Sequence, residues 1–126
     1  MPEYLCDTGV LILCLRGDET TLALWDTLAA TGPLHISAVT HLEIIAGMQP
    51  WEEDLTRDIL TSCVCHPLDE IIGDKAGRLI ARYRSQGVAL SVPDAAIAAT
   101  ALLSGLTLVT RNRKHFPMPE LAIYPI

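Results

Sequence analysis

The sequence is short of the features that most often announce a function. It has no glycine-rich phosphate loop, dinucleotide-binding fingerprint, HExxH helix or nucleophile elbow, which sets aside the commonest nucleotide-binding, zinc-protease and serine-hydrolase readings. Positive charge is scarce: 9 Lys and Arg stand against 15 Asp and Glu, a net charge of −6. Sequence-independent nucleic-acid binding relies on basic residues neutralising phosphates, so any such contact must be local. The cysteines Cys6, Cys14, Cys63 and Cys65 follow no disulfide framework, and the N-terminus lacks the charged and apolar regions of a secretion signal. A reducing cytoplasm is the expectation. The apolar run over 10–15 is far shorter than the roughly 20 residues that span a bilayer, so no membrane segment is expected. Repeats, low-complexity tracts and linkers are also missing.

What is present suits one globular domain over residues 1–126. Half of the residues are hydrophobic and 19% are charged, far from disordered compositions and slightly on the apolar side of globular ones. That surplus is available to a partner. Apolar runs over 4–6, 34–37, 64–68, 106–109 and 121–124 predict short strands. Between them, periodic segments over 10–15, 20–30, 39–46, 51–62, 70–86 and 95–103 predict helices, with 88–93 extended or loop. Buried strands alternating with helices imply an α/β fold, a parallel sheet covered on both faces. Ligands of such sheets bind beyond the carboxyl ends of the strands.

Three carboxylates sit where an apolar run gives way to a helix: Asp7, Glu43 and Asp94. A fourth junction reads Thr110-Arg111-Asn112-Arg113-Lys114-His115-Phe116. Singly, each acid is explained as a helix cap, since Asp7 precedes a helix and both Thr40-x-x-Glu43 and Ser91-x-x-Asp94 fit the capping box. Together, acids at one edge of a parallel sheet suit a hard divalent cation held against a phosphate. Cys63-x-Cys65-His66 lacks a complementary ligand pair for zinc, so a buried strand cysteine is expected there, and His35 and His41 read as structural.

In order, Leu5-Cys6-Asp7-Thr8, Ile36-Ser37-x5-Glu43, the run from Pro93-Asp94 to Ala101, and Leu108-Val109-Thr110-Arg111-Asn112-x-x-His115-Phe116 resemble the signature blocks of the PIN-domain ribonucleases. Among these, the likeness is nearest to the VapC toxins of toxin-antitoxin pairs. The resemblance implies a PIN-like three-layer α/β/α fold with a central, mostly parallel sheet of four to five strands. It also implies a Mg²⁺-dependent endoribonuclease, with Mn²⁺ as an alternative cation. Asp7, Glu43 and Asp94 then correspond to metal ligands and Asn112 to a fourth catalytic position that is Asp in many relatives. Thr8, Ser37 and Thr110 correspond to polar positions beside the site.

Gly9, Asn112 and His115 depart from the family pattern, and the last two weaken the case for a second metal ion. Arg111, Arg113 and Lys114 are expected to contact flanking RNA phosphates. The implied partners are an RNA substrate, a VapB-like antitoxin lying in an apolar groove, and a second copy in a homodimer. Two other readings stay open: a catalytically silent binding or dimerisation module, for which Asn112 is the reason, and a receiver-type phosphoacceptor. The receiver fits less well because only Asp7 follows the first strand, where paired acids are wanted.

Overall fold

The side-chain alternation of extended backbone decides which layer each strand residue enters. In the computed structural model, which describes residues 2–126, Leu5 and Leu108 point to one face of the sheet and Cys6 and Val109 to the other. Four strands form the sheet: β1 (Tyr4–Cys6), β2 (His35–Ser37), β3 (Val64–His66) and β4 (Thr107–Val109). All pairings are parallel, in the order β3-β2-β1-β4. Six helices cover it: α1 (Thr8–Leu15), α2 (Glu19–Ala29), α3 (Ala38–Gly47), α4 (Glu53–Thr61), α5 (Glu70–Arg84) and α6 (Val92–Ser104). No helix among the described residues is long and apolar enough to cross a membrane.

On one face, Cys6, Ile36 and Val109 pack with Val10 and Leu11 of α1, Leu28 of α2, Ile44 of α3 and Leu60 of α4. On the other, Leu5 and Leu108 meet α5 and α6 through Ile72, Leu79, Tyr83 and Ile97. This is the expected three-layer arrangement. Helix α6 can approach closely because Ala95, Ala96, Ala98, Ala99 and Ala101 are all buried and carry almost no side chain.

The chain steps outward from β1 to β2 to β3, then returns to place β4 on the other side of β1. Connections leaving β1 and β4 therefore diverge, and the crevice at such a switch point is where parallel sheets bind ligands. The order also differs from the 2-1-3-4-5 arrangement of receiver-type domains.

Several local expectations are revised. The segment over 121–124 pairs with β4 only through a bridge of Ile123 to Leu108, so the sheet has four strands. Helix α3 is capped by Ser37, whose Oγ accepts from Val39 N at 3.2 Å, so the capping box read at Thr40 is wrong. Helix α6 begins at Val92, not after Pro93, because proline is compatible with a first turn whose N–H groups have no helical partner. The cysteines are partly misjudged too: Cys63 is half-buried, but Cys65 is exposed. His35 is buried as expected, with Nδ1 2.9 Å from His66 Nε2 and Nε2 3.2 Å from Glu3 Oε1.

The packing of α6 gives the first prediction. Ala98 is 0% exposed, so Ala98→Leu must displace neighbours and should cost about 1–3 kcal/mol, read as a lower urea midpoint with an unchanged slope.

Candidate active site

Asp7 stands at the carboxyl end of the strand shared by both halves of the sheet. It leaves β1 in extended conformation and caps α1, with Oδ1 accepting from Thr8 N at 2.8 Å. Oδ2 accepts from Thr110 Oγ1 at 2.7 Å, which ties the loop after β4 to the end of β1. The side chain is buried, at 6% exposure. Burial, above all, raises its carboxyl above the ordinary carboxylate range; the Thr110 and Thr8 hydrogen bonds oppose this, and the charges of Asp94 and Glu43 add to it. Three acids far apart in sequence thus share one electrostatic neighbourhood.

Glu43 reaches the site from α3. Its Oε1 lies 2.8 Å from Thr8 Oγ1, and that oxygen is 3.0 Å from Thr40 Oγ1. Asp94 occupies the first turn of α6, where its N–H donates to Ser91 Oγ at 3.2 Å. The Ser91 cap therefore forms as the sequence suggested, and it leaves the Asp94 carboxylate facing His115, with Oδ2 3.5 Å from Nδ1. Asn112 N–H donates to Thr110 Oγ1 at 3.0 Å. Its Nδ2 lies 3.8 Å from where a Cβ on Gly9 would stand, so the amide sits over the first turn of α1, beside Asp7.

The remaining sequence candidates divide. Thr8 and Thr110 bond directly to the acids. Ser37 is buried and engaged as the cap of α3, and no hydrogen bond joins it to the acids among the described residues. Arg111 turns away to α2, where Nη2 donates to Thr21 Oγ1 at 3.0 Å. Arg113 and Lys114 lie exposed in a 3-10 turn, Arg113–His115. Lys114 and His115 line a cleft of about 260 Å³ together with Asp94 and Ser91. Thr40 was missed: it was read as a cap, although its position one helical turn before Glu43 puts it on the same face of α3.

A profile of the PIN domain matches residues 4–120. The chain belongs to the PIN-domain family. Ribonuclease VapC10 of Mycobacterium tuberculosis is 40% identical over 92% of this chain and 87% of its own length. Ribonuclease VapC19 of the same organism is 33% identical over 93% and 95%. Among solved structures, a toxin-antitoxin complex from Klebsiella pneumoniae contains a chain that superposes with a TM-score of 0.79 at 31% identity, covering 98% of this chain and all (100%) of that one. DNA-bound VapBC from Salmonella typhimurium gives a TM-score of 0.85 at 21% identity, with 98% of both chains covered, a likeness of fold.

PIN-domain ribonucleases of this kind depend on divalent metal, and the donors here fit one. Asp7, Glu43 and Asp94 carry hard oxygen donors, the type that suits a cation such as Mg²⁺ or Mn²⁺. Thiolate chemistry is disfavoured: burial raises the Cys6 thiol and pushes Cys14 up to about 11. Among the described residues no three acidic, His or Cys side chains are drawn together tightly enough to grip an ion as they stand. Glu43 is held by Thr8 and Asp94 lies beside His115. Burial first, and the nearby charges of Asp94 and Glu43 second, disfavour the ionised form of Asp7, and a bound cation would oppose both effects.

The raised pKa of Asp7 has a testable sign. A carboxyl whose folded pKa is raised contributes stability that is fully present below the unfolded pKa of 3.8 and is lost as pH rises through the higher folded value. At pH 7 in chelator, Asp7→Asn should therefore melt at or above wild type. Added Mg²⁺ should raise the wild-type midpoint but not that of the variant. A variant that melts well below wild type in chelator, measured by calorimetry, would contradict this account.

Proposed function

We propose that this chain is a divalent-metal-dependent endoribonuclease, the toxin of a type II toxin-antitoxin pair, with residues 1–126 acting as a single PIN domain. The observation that supports the reading is that Thr8 joins two of the acids at the end of β1, its N–H donating to Asp7 Oδ1 and its hydroxyl lying 2.8 Å from Glu43 Oε1, while the charge of Asp94 is felt by the same Asp7 carboxyl. In this reading Asp7, Glu43 and Asp94 hold the cation, with Mg²⁺ preferred and Mn²⁺ able to replace it. When bound, the cation supplies neutralisation of charge at the phosphate and activation of a water.

The protein's own groups do the rest. Thr110 and Thr8 N–H fix the Asp7 carboxylate by bonding both of its oxygens, so it is held in place before substrate arrives. Asn112 adds no charge at the fourth position, and its amide offers hydrogen bonds to a phosphate oxygen or a water. Three carboxylates without a fourth favour one cation in the free protein, with a second bound only alongside substrate. Because water is the attacking group, the RNA 2′-OH takes no part in the chemistry.

Arg113 and Lys114 project from the turn beside Asp94 and hold flanking phosphates. Arg111, bonded to Thr21, keeps that role only by leaving its present partner. Reducing conditions suit the four free cysteines, and the cytoplasm is where RNA and an antitoxin would be met.

An antitoxin site is available next to the acids. Ile12 and Leu15 of α1, Ile44 of α3 and Met48 just after it line a cleft of about 340 Å³ that reaches Glu43. Exposed apolar side chains lie on the elements that form its walls or follow them, with Leu42 at 63%, Trp51 at 81% and Leu55 at 59%. We assign this cleft to a VapB-like antitoxin segment that ends with a basic residue at the acids, and the remaining apolar surface to a homodimer.

Three experiments test these assignments. Purified protein should cut cellular RNA with Mg²⁺ and lose about 10²–10³-fold of its rate in Asp94→Asn, the order of loss seen when groups stabilising developing charge are removed. Arg113→Glu should weaken RNA binding without changing metal affinity. Absence of cleavage with any RNA, together with harmless expression, would favour the silent binding module. For the cleft, Met48→Asp should weaken binding of the co-encoded antitoxin by at least about tenfold while leaving RNA cleavage intact.

A further inference from the structure

Thr40 has a hydroxyl that is fully buried yet does not serve its own helix. Buried helical threonines commonly return their hydroxyl proton to the carbonyl one turn back, as Thr100 does to Ala96 O at 2.8 Å. Thr40 is 0% exposed and makes no such bond among the described residues. Its Oγ1 instead lies 3.0 Å from Thr8 Oγ1, which is itself 2.8 Å from Glu43 Oε1. A hydroxyl has one proton to give, and an ionised carboxylate can only accept. The directions follow: Thr8 donates to Glu43, and Thr40 donates to Thr8. Each bond strengthens the next in a chain of this kind, the more so where water is excluded.

We propose that Thr40 is a positioning residue for Glu43, acting through the Thr8 hydroxyl. The relay fixes Oε1 toward α1 and leaves Oε2, which has no protein hydrogen-bond partner among the described residues, to serve the cation. Thr40 touches neither RNA nor metal. It sets the orientation of a ligand that sits on a half-exposed helix face and would otherwise sample several rotamers. This inference rests on the reading of Glu43 as a cation ligand.

Thr40→Val keeps the shape and removes the hydroxyl, whereas Thr40→Ser keeps the hydroxyl. Thr100→Val removes an equally buried hydroxyl that bonds only to backbone. Mn²⁺ affinity, measured by electron paramagnetic resonance without RNA, should fall about tenfold in Thr40→Val, as expected when a partner outside the ligand shell is lost. The rate kcat should fall with it at unchanged KM for RNA. Thr40→Ser should recover both, and Thr100→Val should leave both at wild-type values. Thr40→Ala, read in parallel against a melting curve, should repeat the loss if the valine variant folds poorly. Equal Mn²⁺ affinity in wild type and Thr40→Val, or an equal loss in Thr100→Val, would overturn the relay. Failure of wild type to cut RNA would count against the ribonuclease reading instead, and the Mn²⁺ comparison judges the relay in either case.

Discussion

A carboxylate buried at the end of a central strand costs free energy unless its oxygens are bonded and its charge is offset. In this chain the elements around Asp7 are placed to meet that requirement. The N-terminus of α1 supplies an N–H to one oxygen and, with its dipole, favours negative charge there. The loop after β4 supplies the Thr110 hydroxyl to the other. Both arrive because β1 lies between β2 and β4, so that the ends of neighbouring strands surround it. These bonds offset the cost of burial only in part, and the charges of Asp94 and Glu43 add to what remains. An ionised carboxylate so placed suits a site whose working form contains a cation.

The loop after β4 is the second consequence of the same arrangement. It is pinned by Thr110 to Asp7, by its own Asn112 N–H to Thr110, and by Arg111 to Thr21 at the start of α2. With three anchors, the loop presents the exposed turn carrying Arg113 and Lys114 at a defined place beside Asp94. A chain with net charge −6 thereby keeps two basic groups beside one of its acids, where the proposed RNA contact would need them, although most of its surface would repel a phosphate backbone. Charge distribution, not total charge, decides whether such a protein can meet RNA.

The apolar excess of the composition is also divided by the fold. Much of it fills the two layers on either side of the sheet. Part of the remainder lies on α3, the Pro50–Glu52 turn and α4, where Leu42, Trp51 and Leu55 stay exposed, and the rest is scattered over α2, β3, α5, α6 and the loops, at Leu22, Val64, Ile71 and Leu103 among others. The cleft lined by Ile12, Leu15, Ile44 and Met48 draws on the same α3 and the 50–52 turn and reaches Glu43, so apolar surface and acids meet at one place.

Local chemistry made much of this legible in the sequence. Short apolar runs, glycine and proline stops, and acids at junctions fixed the kind and order of most elements, and the ordered blocks around Asp7, Glu43, Asp94 and Asn112 pointed to the family. These signals are readable because each depends on residues close together in the chain. The errors fell where a residue's partner is remote. Thr40 resembles a cap in sequence, but its hydroxyl is claimed by Thr8 across two helices. The same holds for a partner that the sequence does not reveal: the Arg111 guanidinium donates to Thr21 on α2, 90 positions away. Ile123 makes one bridge to Leu108 instead of a strand, a pairing set by a segment 15 positions away and not by its own apolar run. The sequence by itself determined which residues could bear charge at the strand ends. Only the tertiary structure decided which share a buried, poorly solvated space, because that depends on strand order and on hydrogen bonds between segments about a hundred residues apart, as with Asp7 and Thr110 (103 positions).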